Sequence, residues 1–125
     1  MRRVVVYTLL SLDGVAEEPG DWMTDSGTQV FAHLAEVIGT QTTFLLGRAT
    51  YDYWVGYWPH DGPEPFRSFI NGTEKHVVTS RPLETPWSGA SVVDVPVEEH
   101  VRRLRAGDGG DVGVHGSIRL ARSLA

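Results

Sequence analysis

The chain has 125 residues, 41% apolar and 22% charged, with 11 Lys and Arg against 16 Asp and Glu for a formal net charge of -5. That composition fits one folded domain around one hydrophobic core, spanning 1–125, and excludes a disordered chain. The acidic balance argues against a nucleic-acid partner, and the absence of cysteine excludes disulfides, thiol nucleophiles and cysteine-held metals and fits the cytoplasm.

Arg2 and Arg3 precede an apolar run, but no small-residue cleavage site follows and no stretch reaches membrane-spanning length. The run from Val4 to Leu10 therefore reads as a first strand, rich in valine and buried on both faces. Ser11-Leu12-Asp13-Gly14 ends it, and Asp25 suits an N-terminal cap for the next element. Val30, Phe31, Leu34, Val37 and Ile38 then follow the spacing of an amphipathic helix, with Gly39 at its C-terminal end. Thr42 to Leu46 reads as a second strand, Arg48 to Trp54 as a short helix, and Pro59 to Pro65 as a loop. Asn71-Gly72 is read as a turn into a third strand, Lys75 to Thr79, and a fourth follows at Ser91 to Val95. Pro96 opens a helix whose buried stripe is Val97, Val101 and Leu104, with Glu98 and Glu99 in its first turn and arginines near its end. Gly107 to Gly110 leads into a last strand, Asp111 to Val114. Strands alternating with helices, without internal repeats, predict an α/β fold with an open, mainly parallel sheet flanked by helices.

Three segments carry the functional reading: Leu45-Leu46-Gly47-Arg48-Ala49-Thr50, His76-Val77-Val78-Thr79-Ser80-Arg81-Pro82 and Asp111-Val112-Gly113-Val114-His115-Gly116-Ser117. Each is an apolar run that stops at Gly or Ser-Arg, where a loop or helix begins. A strand ending in this way exposes unpaired backbone N–H groups to a phosphate. At Gly47, Arg48 and Thr50 the alternative is a plain strand-to-helix turn with Thr50 as a local cap. At Ser80 and Arg81 a guanidinium fork suits a phosphate, against a turn whose arginine faces water. At Gly113, His115, Gly116 and Ser117 the strand end offers close backbone approach to a phosphate, and a helix capped by Ser117 holds in either case.

In this order and spacing, strand-S-L-D-G, helix, strand-L-G-R-x-T-Y, strand-T-S-R-P and strand-G-x-x-G-S, the chain resembles the dihydrofolate reductase-like fold. Within it, the similarity is to the reductase domain of riboflavin biosynthesis, the C-terminal partner of the pyrimidine deaminase, and its stand-alone bacterial relatives. The resemblance covers essentially all of the sequence. It implies NADPH as cofactor and hydride transfer to a small molecule, either a pterin or a riboflavin-pathway pyrimidine such as 5-amino-6-(5-phosphoribosylamino)uracil. It places the adenosine 2'-phosphate at Ser80-Arg81, and it places Asp13 beside the nicotinamide as the catalytic candidate. The ordinary reading of Asp13 is an Asp-Gly turn. His115 departs from the adjacent glycines that relatives carry, which restricts backbone approach or brings the imidazole itself to a phosphate.

The aromatic run Tyr51, Tyr53, Trp54, Tyr57, Trp58 and the isolated Trp22 offer rings for a flat substrate, with Trp22, Tyr51 and Trp54 the substrate-binding candidates. The competing reading is core packing. The five histidines show no metal-ligand spacing, His100 is expected on a solvated helix face, and no metal is predicted. The sequence ends inside an apparent helix where relatives continue into further strands. The expectation is a C-terminally incomplete reductase with an uncovered apolar edge, inclined to aggregate or pair as a homodimer. Two other classes fit the same residues: a protein that binds NADPH without catalysis, and a structural or oligomerising domain without nucleotide affinity.

Overall fold

The computed structural model of the chain describes residues 2–7, 27–115 and 118–124. The elements run β1 (Val4–Tyr7), α1 (Gly27–Ile38), β2 (Gln41–Gly47), α2 (Arg48–Val55), α3 (Phe66–Gly72), β3 (Glu74–Val78), β4 (Ala90–Val93), α4 (Val97–Ala106), β5 (Asp111–His115) and α5 (Ile118–Ser123). The five strands form an open sheet in the order β1-β5-β2-β3-β4, and every pairing is parallel. An α/β architecture with helices flanking an open parallel sheet is what the alternating pattern predicts.

Side chains alternate across the sheet and so build two different layers. On the first face, Phe44, Leu46 and Val77 meet Leu34 and Ile38 of α1, Tyr51 and Val55 of α2, Phe66 and Ile70 of α3, and Trp87. On the second, Leu45, Val112 and Val114 meet Val97, Val101 and Leu104 of α4 and Leu120 of α5. β2 lies between these layers with Phe44, Leu45 and Leu46 all fully buried, the property expected of a central parallel strand. The chain passes outward through β2, β3 and β4 with α1 to α3 on the first face, then returns to β5 through α4 on the second. Reversing direction while keeping one crossover hand requires that change of face.

The sequence reading needs correction at one element. Phe66–Gly72 is a helix, where the sequence reading assigned no element to 66–70 and expected a turn at Asn71-Gly72. Phe66, Phe69 and Ile70 fall at i, i+3 and i+4 and all pack into the first layer, so tertiary burial overrides the turn preference of Asn71-Gly72. The Asn71 amide donates to the carbonyls of Trp58 and Arg67 at 2.9 Å, and its oxygen accepts from Trp87 Nε1 at 2.8 Å. Elsewhere the expected strands shift by one or two residues. The part of the first strand expected at Thr8 to Leu10, and Asp25, lie outside the described residues. Among those described, no helix is long and apolar enough to cross a membrane.

Arg2 and Arg3 fasten the N-terminal edge of the sheet. Arg2 is buried, donating from Nε to the Gly110 carbonyl at 2.7 Å and from Nη2 to Thr43 Oγ1 at 2.7 Å. Arg3 pairs with Asp111 at 2.8 Å, and Thr40 Oγ1 donates to the same carboxylate at 2.7 Å. These hydrogen bonds, Arg3 first, hold the Asp111 carboxyl below its usual range. Arg3, Thr40 and Asp111 line, with Val5, Glu36 and Val37, an open recess of about 270 Å³.

Candidate functional site

Because all five strands are parallel, Tyr7, Gly47, Val78, Val93 and His115 finish at one edge of the sheet. β5 and β2 are neighbours, yet α5 leaves toward the second face and α2 toward the first. Beyond the strand ends, at such a divergence, is where ligands of open α/β sheets bind. Two of the three sequence segments, ending at Gly47 and His115, flank this point, and the third ends one strand further along.

Gly47 is the N-cap of α2, with extended backbone (φ -83°, ψ 170°) and no side-chain cap. Thr50 is half-buried in the first turn. Arg48, the first helical residue, turns its guanidinium away from the helix axis toward the loop after β3. Nε donates to both oxygens of Asp52, at 3.0 and 3.1 Å, while Nη1 reaches the carbonyls of Arg81 at 3.3 Å and Pro82 at 3.0 Å and Thr79 Oγ1 at 3.4 Å. Its side chain is 12% exposed. Arg48 therefore clamps the 79–82 turn against the start of α2. Within that turn, Thr79 Oγ1 accepts from the Arg81 backbone N–H at 3.3 Å, and the side chains of Ser80 and Arg81 are exposed. Among the described residues no carboxylate pairs with Arg81.

No protein-family model and no curated protein matches this sequence. The reading of the edge therefore rests on its residues.

On β5 the structure gives a different account from the sequence. Gly113 faces the first layer, and a Cβ there would run into the carboxamide of Gln41. That side chain lies across the glycine to reach His115, with Gln41 Oε1 2.8 Å from His115 Nε2. The missing side chain at 113 thus makes room for a buried polar pair. His115 is 4% exposed and stacks on Phe44 at 5.1 Å and 15°, with Phe66 at 5.4 Å and Tyr7 at 5.7 Å. Burial lowers its pKa to about 4, so the ring is neutral at pH 7. Of the two readings of His115, the imidazole in contact with a phosphate does not hold: the ring is a neutral member of a buried aromatic cluster. Gln41 Nε2 is buried without a partner among the described residues. Gly116 and Ser117 lie outside the described residues, as do Asp13 and Trp22.

Two substrate-binding candidates also move inward. Tyr51 is fully buried, its hydroxyl donating to the Thr85 carbonyl at 2.6 Å and its ring 6.1 Å from that of Trp87. It fastens the loop between β3 and β4, offering no face to a ligand. Trp54 is half-buried between Phe44 at 5.7 Å, Phe66 at 5.6 Å and Trp58 at 6.1 Å. The exposed rings of the run are Tyr53 on α2 and Tyr57 in the turn that follows it.

Buried polar residues that the sequence reading passed over stand on β3. Lys75 is fully buried; its ammonium donates to the carbonyls of Ile70 and Thr73, both at 2.8 Å, and sits 4.7 Å above the Trp87 ring. It caps the C-terminus of α3, and burial lowers its pKa to about 8. His76, the next residue, faces the opposite layer and meets His100, with Nδ1 and Nε2 2.6 Å apart. His100 is therefore not on a solvated helix face as expected, but at the contact between α4 and β3. Neither burial is visible in Glu74–Val78, because one alternation places both residues under helices fixed by distant sequence.

Proposed function

We propose that this chain is an NADPH-dependent reductase of the dihydrofolate reductase-like class, acting on a flat pterin-like or riboflavin-pathway pyrimidine substrate. The observation that carries the reading is the Arg48 clamp. It holds an exposed Ser80-Arg81 pair next to the start of α2, at the edge where parallel strands end. The donor chemistry fits the cofactor. An exposed guanidinium with no carboxylate partner among the described residues provides two parallel donors for a phosphomonoester, and Ser80 adds a hydroxyl. Arg48, committed to Asp52 and to the loop carbonyls, orients this turn. The extended backbone at Gly47 leads directly into α2 at the strand ends, where helix-start N–H groups favour an anion.

Bound NADPH would supply a hydride. The chain's own contribution is to grip the adenosine end and to keep the sheet edge rigid, since hydride transfer asks the protein mainly for orientation and exclusion of water. Val6 on edge strand β1 and Val92 on edge strand β4 are exposed and apolar, which supports pairing of two copies. A cysteine-free enzyme using a reduced nucleotide fits the cytoplasm.

Calorimetric titration with NADPH and NADH tests the reading, repeated on Arg81→Ala. NADPH should bind more tightly than NADH, and the substitution should weaken NADPH by about 1.5 to 3 kcal/mol, the range of a hydrogen bond to a charged group, while leaving NADH unchanged. Absence of binding to either nucleotide by the folded protein refutes it.

A further inference from the structure

The histidine pair between β3 and α4 plays no part in the proposed nucleotide site, and its geometry restricts how many protons it can hold. His76 Nε2 lies 2.7 Å from Glu74 Oε1, and His76 Nδ1 lies 2.6 Å from His100 Nε2. An ionised carboxylate only accepts, so Glu74 fixes the proton on His76 Nε2 and leaves Nδ1 as the acceptor in the neutral ring. His100 Nε2–H then donates to it. One added proton is also accommodated: it binds His100 Nδ1, and the single proton between His100 Nε2 and His76 Nδ1 still bridges the two rings. A second added proton sets N–H against N–H across 2.6 Å, and the contact must break.

The surroundings supply no compensation for two positive charges. From β3 the pair faces Glu74, which is already used. From α4, burial first, then His76 and Arg103, disfavour a charged His100, and Arg103 itself pairs with Glu99. The neighbouring strands place Leu45 and Ser91 opposite His76, and neither titrates. Nor is α4 otherwise firmly held. None of its residues is fully buried, and it meets the sheet through the half-buried Val97, Val101 and Leu104.

We propose that His76 and His100 form a proton-operated latch between β3 and α4. It is closed while the pair carries at most one positive charge, and it opens when both rings are charged, releasing α4 while the rest of the sheet stays paired. Acidification thereby loosens the connection from β4 to β5 without unfolding the protein.

Amide hydrogen exchange on the intact chain, corrected for intrinsic rates and compared at about pH 7.5 and about pH 5, tests this. Protection across 97–106 should fall by about ten-fold or more relative to the amides of Leu45 and Val112. In His100→Gln, which can still donate to His76 Nδ1 but cannot charge, the relative change should stay below about two-fold. Followed by nuclear magnetic resonance, the His100 ring should titrate below the ordinary histidine value. Equal acid loss of α4 protection in wild type and His100→Gln overturns the latch.

Discussion

On its first face the sheet is closed by rings: Phe44 is fully buried against Trp54, Phe66, Phe69 and His115. On its second face the cover is lighter, with α4 resting on half-buried aliphatic side chains and a histidine pair. Both faces bury ionisable groups, but they treat them differently. The aromatic face keeps His115 neutral against Gln41 and Lys75 bonded to the carbonyls at the end of α3. The aliphatic face lets His76 and His100 meet at a seam between elements, where protons can reach them. The first face therefore carries the heavier packing, and the second the looser seam between elements.

The sharpest way to break this contrast is to remove a ring from the first face. Phe44→Ala should cost about 3 to 5 kcal/mol in urea unfolding, since a fully buried ring leaves a cavity that its neighbours cannot fill. A loss below about 1 kcal/mol would mean that the aromatic layer is not the stable half.

Next in size is the protonation of His115. Its folded pKa, about 4, lies below the ordinary histidine value of 6.5 because of burial. The unfolded chain thus binds more protons between these values, so stability is fully present above pH 6.5 and is lost as pH falls toward 4. The shift corresponds to about 3 kcal/mol, and His115→Leu should remove that slope from unfolding curves. Lys75 has the same sign in another window. Its folded value of about 8 lies below 10.5, so stability should rise with pH between the two by about 1 to 3 kcal/mol. Lys75→Met should flatten the rise.

The second face should answer more weakly. Val101→Ala on α4 should cost about 1 kcal/mol, in line with a half-buried aliphatic residue. Glu99→Ala, which removes an exposed i,i+4 pair with Arg103, should cost about 0.3 to 0.5 kcal/mol and less in high salt. If Val101→Ala matched Phe44→Ala, the two faces would be equivalent and the division proposed here would fail.

Within the described residues, the strands β2 to β5 and the helices α1, α2 and α4 were legible because local patterns determine them. Apolar runs bounded by Gly and Pro mark the strands, and the 3.6-residue spacing of Val97, Val101 and Leu104 marks α4. The sequence also singles out the three strand ends, since a run stopping at Gly47, Ser80 or His115 is a local signal. Which of those residues face solvent was decided elsewhere. Arg48 is drawn onto the 79–82 turn by carbonyls over thirty positions away, and Gly113 is small because Gln41 must pass over it. Tyr51 disappears beneath a loop whose path depends on Trp87 and Asn71. The helix Phe66–Gly72 and the burial of Lys75 and His76 likewise rest on what the sheet brings to them. Spacing along the chain determines which residues share a face of one strand or helix. Only packing between strands and helices determines what that face meets, and hence whether a charged or aromatic side chain serves the core or the surface.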